Sequence, residues 1–265
     1  MPKFGLVIIG DEILSGKRAD KHMSKVIEIL SNRGLELSYA NYVGDDPVRI
    51  TAALKTAFES GDVVFSTGGI GATPDDHTRQ CAAKALGREL LLHPLGADLI
   101  RERMQDTARE SGVPYEPERD DNKHRLNMAV FPAGAELIPN PYNKIAGFSV
   151  GSVYFVPGFP VMAWPMMEWV LDTHYAQYFN KSPSAEWSVI VQGSMEATLT
   201  PLMEQIEADF AGIKVFSLPS VDSPKYGRHI ELGVKGEPEL VKKAYPVMLS
   251  GLAILKAVLL DELKR

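Results

Sequence analysis

The stretch FSTGGIGATPDDHTR, Phe65–Arg79, decides how this chain folds. It starts at the end of an apolar run, Asp62–Ser66, and leads into a helical pattern, Asp76–Leu86, that stops at Gly87. A glycine-rich loop between a strand and a helix marks the carboxyl edge of an open α/β sheet, where such sheets take their ligands. Thr67, Gly68 and Gly69 let the backbone come close to a ligand with no Cβ in the way, and Gly71 keeps the second turn open. The following helix points its free N–H groups and positive dipole end at the same place, which suits a phosphate or pyrophosphate. Two familiar loops are excluded. Gly69–Pro74 ends in proline where the dinucleotide fingerprint has glycine, and no Gly-Lys-Ser/Thr follows, so this is not a P-loop. Asp75 and Asp76 have two readings. One is helix capping, with Thr73 or Asp75 as N-cap. The other is a pair of carboxylates that holds Mg²⁺ together with phosphate oxygens.

Upstream, Phe4–Ile9 is a continuous apolar run ending at Gly10, the pattern of a strand buried on both faces. Met23, Val26, Ile27 and Leu30 mark one helix face, closed by Gly34; Leu35–Val43 is a second strand. Pro47 opens a helix with Ile50, Leu54, Ala57 and Phe58 inward, and Gly61 ends it. Alternating strands and helices predict a doubly wound α/β fold with a three-layer α/β/α, mostly parallel sheet. Downstream, Pro94–Arg125 is charged and helical, interrupted by SGVPYEPERDD, and reads as an arm with solvated charges. Short β runs at Ala135–Ile138, Gly147–Val150 and Val153–Val156 precede a helix that runs to about Phe179. Asn180–Ala185, NKSPSA, has linker composition. Beyond it, Trp187–Gln192, Leu199–Phe210, Ile213–Leu218, His229–Val234 and Glu237–Leu260 read as a small β-α-β-β-α module of the α+β class. The expected domains are therefore 1–179 and 186–265.

The net charge of -6 over 265 residues gives no support for a nucleic-acid partner. Cys81 is the only cysteine, which excludes an intrachain disulfide; on the helix after the loop it fits a small buried apolar role. MPKFGLVIIGDEILSG has too short an apolar run for a signal peptide. VMLSGLAILKAVLL is broken by Lys256 and reads as a buried helix, not a membrane span. The expectation is a cytoplasmic protein with no membrane partner.

TGGIGATPDDHT resembles the signature loop of the molybdopterin-binding-like (MogA/MoaB) superfamily, most closely the amino-terminal region of CinA-like, competence/damage-inducible proteins. GLVIIGDEILSG, YVGDDPVRI and VPGFPVMAWPMM resemble further motifs of that family in the right order, over about residues 1–175, and the terminal module resembles the small domain that follows in CinA-like proteins. The resemblance implies a MogA/MoaB-like domain. It also implies a pterin or adenine ligand carrying a phosphate or pyrophosphate: molybdopterin, or a nucleotide diphosphate such as ADP-ribose or FAD, hydrolysed with a divalent metal (Mg, Mn or Co) and K⁺. Residue by residue, Thr67, Gly68, Gly69, Gly71 and Thr73 carry over as the phosphate cradle. Asp75 and Asp76 carry over as metal or catalytic carboxylates, with Asp45 as a third metal ligand. Glu12 lies on the same carboxyl edge, as a turn cap or as a site residue. Gly158, Phe159 and Pro160 close the far side of the site or form a strand-to-helix turn.

The chain also departs from the family pattern. RADKHM stands where the family has Thr-Asn, PNPYNKIAGF lacks a Gly-Thr pair, and Val161 replaces a glutamate. The carboxy-terminal deamidase domain of full-length CinA proteins is not expected. Three readings stay open: a metal-dependent pyrophosphatase acting on a nucleotide diphosphate, a non-catalytic binder of molybdopterin or a nucleotide, and an oligomeric or partner-binding protein. Superfamily analogy favours a homo-oligomer.

Overall fold

The computed structural model describes residues 1–180 and 184–265. The chain divides into two compact units, Met1–Phe179 and Asn180–Arg265. The expected linker, 180–185, lies partly outside the described residues.

In the first unit, β1 (Phe4–Ile9), α1 (Asp11–Leu14), α2 (His22–Ser31), β2 (Leu37–Val43), α3 (Pro47–Ser60), β3 (Val63–Thr67) and α4 (Thr78–Leu86) follow the alternating order read from the sequence. β4 (Leu90–Leu92), α5 (Pro94–Glu110), α6 (Asp120–Arg125) and β5 (Val130–Pro132) come next, then β6 (Glu136–Ile138), β7 (Gly147–Val150), β8 (Val153–Val156) and α7 (Pro160–His174). The main sheet has the order β2-β1-β3-β8-β7-β6. Its first four strands are parallel, and β7 and β6 are added antiparallel.

Every residue of β1 and β3 is buried, because both faces of these central strands are covered. On one face Phe4, Leu6, Ile8 and Phe65 pack with Val26, Ile29 and Leu30 of α2 and with Ala163, Met166 and Val170 of α7. On the other, Val7, Ile9 and Val64 pack with Ile50, Leu54 and Ala57 of α3 and with Cys81 and Ala82 of α4. This is the three-layer arrangement. Phe148 and Phe155 face each other across β7 and β8, with ring centroids 4.3 Å apart and planes within 7°. Phe131 extends the stack at 4.7 Å from Phe148.

Three local readings need correction. In α2 the inward face is His22, Val26, Ile29 and Leu30, while Met23 and Ile27 are exposed. Burying His22 at the start of the helix turns the stripe by about one residue. The helix after the glycine loop begins at Thr78 rather than Asp76, because residues 73–76 close a turn of their own: Asp76 N–H donates to Thr73 O at 3.0 Å. The 94–125 segment is more than a solvated arm. Ala97, Ile100 and Met104 of α5 bury against Ala129, while its charges pair along the exposed side, as in Arg101–Asp98 and Arg109–Asp106. The two-stranded β4–β5 sheet beside it was not visible in the sequence pattern.

The second unit contains β9 (Ala185–Gln192), α8 (Glu196–Asp209), β10 (Lys214–Ser223), β11 (Gly227–Gly236), α9 (Pro238–Ile254) and β12 (Val258–Lys264). The module is thus β-α-β-β-α-β rather than β-α-β-β-α. The expected helix to Leu260 ends at Ile254, and Lys256, at φ 54, turns the chain into a strand antiparallel to β9. A continuous apolar run does not distinguish buried helix from strand by period, and AVLL belongs to the strand. The sheet order β10-β11-β9-β12 is the ferredoxin-like, split β-α-β arrangement. Val189, Val191, Leu232 and Val234 pack under Leu199, Ile206, Val241 and Met248 of α8 and α9. The module closes on itself: Glu186 N–H donates to Arg265 O at 2.9 Å, and Arg265 N–H to Glu186 O at 2.8 Å. Among the described residues no helix is long and apolar enough to cross a membrane.

Phe148→Ala would remove the middle ring of the aromatic stack from a fully buried site. The expected loss is about 3–5 kcal/mol of first-unit stability, read as a lower urea midpoint; Leu91→Ala, at an exposed position, should leave the midpoint nearly unchanged.

Candidate functional site

The chain leaves the carboxyl edge of the sheet at four neighbouring places: after β1 through Gly10 into α1, after β2 through Asp45, after β3 through the glycine loop, and after β8 through Pro157 and Gly158. These segments surround a cleft of about 400 Å³, lined among others by Glu12, Arg18, Asp45, Gly68, Gly69, Gly71, Thr73, Asp75, Asp76 and Gly158. With Phe159, ten residues singled out from the sequence therefore meet in one place. Two do not line it. Thr67 is buried within β3, paired with Ile8 and Val156, and Pro160 is the first residue of α7.

The glycines are required first by the protein's own backbone. Gly68 has φ 94, and a Cβ there would run into the carbonyl oxygen of Ile9 at the end of β1. Gly69 has φ 68, and its Cβ would strike the Thr78 hydroxyl. That hydroxyl donates to Gly68 O at 2.9 Å, and Thr78 N–H donates to Gly69 O at 3.0 Å. The loop is pinned between β1 and α4 at a distance no side chain permits. Gly68 N–H goes to Val156 O of β8 at 3.1 Å. Among the described residues no protein acceptor meets the amides of Gly69, Ile70, Gly71 or Ala72, and all four residues line the cleft. Successive unengaged N–H groups of this kind form an anion-binding concavity.

Carboxylates stand opposite. Asp11 and Asp45 cap each other across the β1 and β2 exits: Asp11 N–H donates to Asp45 Oδ2 at 2.9 Å, and Asp45 N–H to Asp11 Oδ1 at 3.1 Å. Burial raises the Asp45 carboxyl above its ordinary value; the Asp11 amide opposes this, and the charges of Asp11, Glu12 and Asp75 add to it. Asp76 turns back into its own loop, where Oδ2 accepts from Thr73 N–H at 2.8 Å and from Thr73 Oγ1 at 2.6 Å. Its place in sequence suggested a cap or a ligand; its observed work is to shape the 73–76 turn. Among the described residues no three His, Cys, Asp or Glu side chains gather closely enough to hold a metal ion by themselves.

Two residues of the site went unread in the sequence. Arg18 lines the cleft with Nη1 4.0 Å from Glu12 Oε1, and no spacing rule announces a loop arginine. His22 is buried, and its Nε2 lies 3.0 Å from Gly158 O, fixing the far wall. Its signal was the departure RADKHM itself: the altered stretch supplies a ring that reaches the β8 exit.

The family model for a probable molybdopterin binding domain matches residues 5–176. A putative competence-damage inducible protein of Clostridium kluyveri is 30% identical over 209 residues, 76% of this chain and 49% of that protein. A CinA-like protein of Geobacter metallireducens is 35% identical over 164 residues, 60% of this chain and 37% of that one. The chain spans about half the length, or less, of these relatives. Among solved structures, the protein CinA of Thermoplasma acidophilum, described as of unknown function, is 26% identical with a TM-score of 0.53, covering 64% of this chain and 96% of its own. The chain is similar to these CinA-like proteins, and it belongs to the family of probable molybdopterin binding domains.

Proposed function

We propose that the cleft binds the diphosphate of a nucleotide such as ADP-ribose and hydrolyses it with the help of a divalent cation. One observation carries this reading. Four successive unengaged amides, Gly69 to Ala72, share a cleft with Glu12, Asp45, Asp75 and Asp76. An anion seated on the amides would be repelled by the carboxylates unless a cation lay between them. The donor set fits that cation. Mg²⁺ is commonly held by one or two carboxylates plus substrate phosphate oxygens, so no protein-only cluster of three ligands is needed. Asp45 and Asp75 are the side chains that would hold it, and Mn²⁺ or Co²⁺ would suit the same oxygens. Bound there, a divalent cation polarises a phosphoryl oxygen and lowers the pKa of a water ligand. The chain's own residues do the rest. The loop amides orient the diphosphate, Asp76 keeps the loop in shape through Thr73, and Arg18 meets the negative charge that develops on the departing phosphate.

A second reading is favoured by the commitment of Asp76 to Thr73. In it the same amides hold molybdopterin or a nucleotide without chemistry.

Incubation with ADP-ribose or FAD, with Mg²⁺, Mn²⁺ or Co²⁺ and K⁺, separates the two. Hydrolysis predicts AMP release that falls by roughly 100-fold or more in Asp45→Asn, beyond the cost usual for an outer partner of a metal ligand. Ligand-dependent thermal stabilisation without AMP release leaves the binding reading. Melting indifferent to every nucleotide and pterin removes both.

Asp45→Asn should also change stability without ligand. The folded state raises the Asp45 carboxyl, so its ionisation opposes folding above the ordinary carboxylate range. The variant should therefore melt higher than the parent at pH 7, and the gain should vanish as the pH falls below that range. Calorimetry across pH 3–7 measures it; a variant less stable at pH 7 contradicts the electrostatic account.

A further inference from the structure

A second cleft, of about 390 Å³, shares Ala72, Thr73 and Asp76 with the first. Its other walls include His77, Arg79, Gln80, His124 and Asn127, and its character is different. Arg79 is 4% exposed. Its Nη2 donates to Gly71 O at 2.5 Å and its Nη1 to Asn127 O, so the guanidinium bridges the glycine loop and the turn after α6. Its Nε is buried without a partner. Among the described residues no carboxylate reaches ion-pair distance of Arg79. Asp76 is the acidic charge that acts on it, and Asp76 Oδ2 is already held by Thr73.

A buried cation without a counter-ion is costly, and neutral carbonyls compensate it only in part. Burial accordingly pushes the guanidinium below its usual value, against the pull of Asp76. Arg79 is also the second residue of the nine-residue helix α4, so the positive end of that helix adds to the same region. The Asn127 side-chain amide touches His124 Nδ1 at 3.4 Å, and His124 Nε2 meets Ala72 O at 2.9 Å, so the His124 ring and the Asn127 amide are oriented by the loop itself.

We propose that this second cleft binds a phosphate monoester group, with Arg79 as its counter-ion. A phosphate offers three terminal oxygens, enough to engage the guanidinium, the Asn127 amide and the first turn of α4 together; a carboxylate offers two. The volume exceeds that of a phosphate alone and leaves room for a small organic remainder. The site is separate from the diphosphate site of the acidic cleft, and each stands or falls without the other.

The test uses the full chain at constant ionic strength, titrated with inorganic phosphate, ribose 5-phosphate and ribose. Binding is followed through the Arg79 Nε–H resonance, assigned by its loss in Arg79→Lys, and through the backbone amides of Gly69–Ala72. The expected result is a saturable shift of the Arg79 signal with ribose 5-phosphate, none with ribose, and affinity weakened roughly 10-fold or more in Asn127→Ala, the loss expected for one hydrogen bond to a charged group. A stronger response to inorganic phosphate than to the ester would make free phosphate the source of the same chemistry. Asn127→Ala leaves both backbone carbonyls that hold Arg79, so the affinity comparison itself uses no arginine variant; Arg79→Lys serves only to assign the signal. A shift confined to Gly69–Ala72, or an Arg79 signal indifferent to both phosphates, overturns the proposal. AMP release from ADP-ribose bears on the acidic cleft alone, so the two failures are distinguishable.

Discussion

The backbone of Gly68 and Gly69 passes between the carbonyl of Ile9 and the hydroxyl of Thr78, closer than any Cβ permits. This approach ties three elements together. Thr78 holds Gly68 O and Gly69 O, Val156 O takes the Gly68 amide, and the end of β1 presses from the side. The ends of β1, β3 and β8 and the start of α4 are thereby fixed to one another. The amides that follow, from Gly69 to Ala72, meet no protein acceptor among the described residues. The row of unengaged amides is a by-product of how tightly the loop is sewn in. A loop held in this way keeps its shape without a ligand, because the fold already forbids its alternatives.

The electrostatics follow from the same loop. On one side the sheet edge brings Glu12, Asp45, Asp75 and Asp76 together and raises the Asp45 carboxyl. The cleft sharing residues 72, 73 and 76 contains a buried guanidinium instead. A few residues of backbone thus border two regions of opposite need, one short of cations and one short of anions. Asp76 stands at both: its Oδ2 is held by Thr73, and its charge acts on Arg79.

The central strands were legible because parallel strands covered on both faces give unbroken apolar runs, as Phe4–Ile9 does. The convergence of Asp45 and the glycine loop was legible for a topological reason, since both follow strands whose carboxyl ends share an edge. Arg18 was not, because its position depends on how the chain folds back after α1, which no local pattern encodes. Asp76 is harder to read: a carboxylate near a helix start looks the same in sequence whether it caps the helix, binds a ligand or closes the preceding turn, as Asp76 does through Thr73. β12 was missed because AVLL suits a buried helix and a strand equally, and Lys256 in a left-handed conformation is not a residue that advertises a turn.

The mutual pairing of Glu186 and Arg265 gives the second unit a property of its own. Where two antiparallel neighbours carry the first and last residues of a module, its entry and exit lie one strand spacing apart, on the order of 5 Å. Such a unit is a cassette. It can be spliced into a loop, or cut and rejoined at a different hairpin, without any segment having to thread through its core. The ferredoxin-like module therefore carries Glu186 and Arg265 side by side at the ends of neighbouring strands of one sheet.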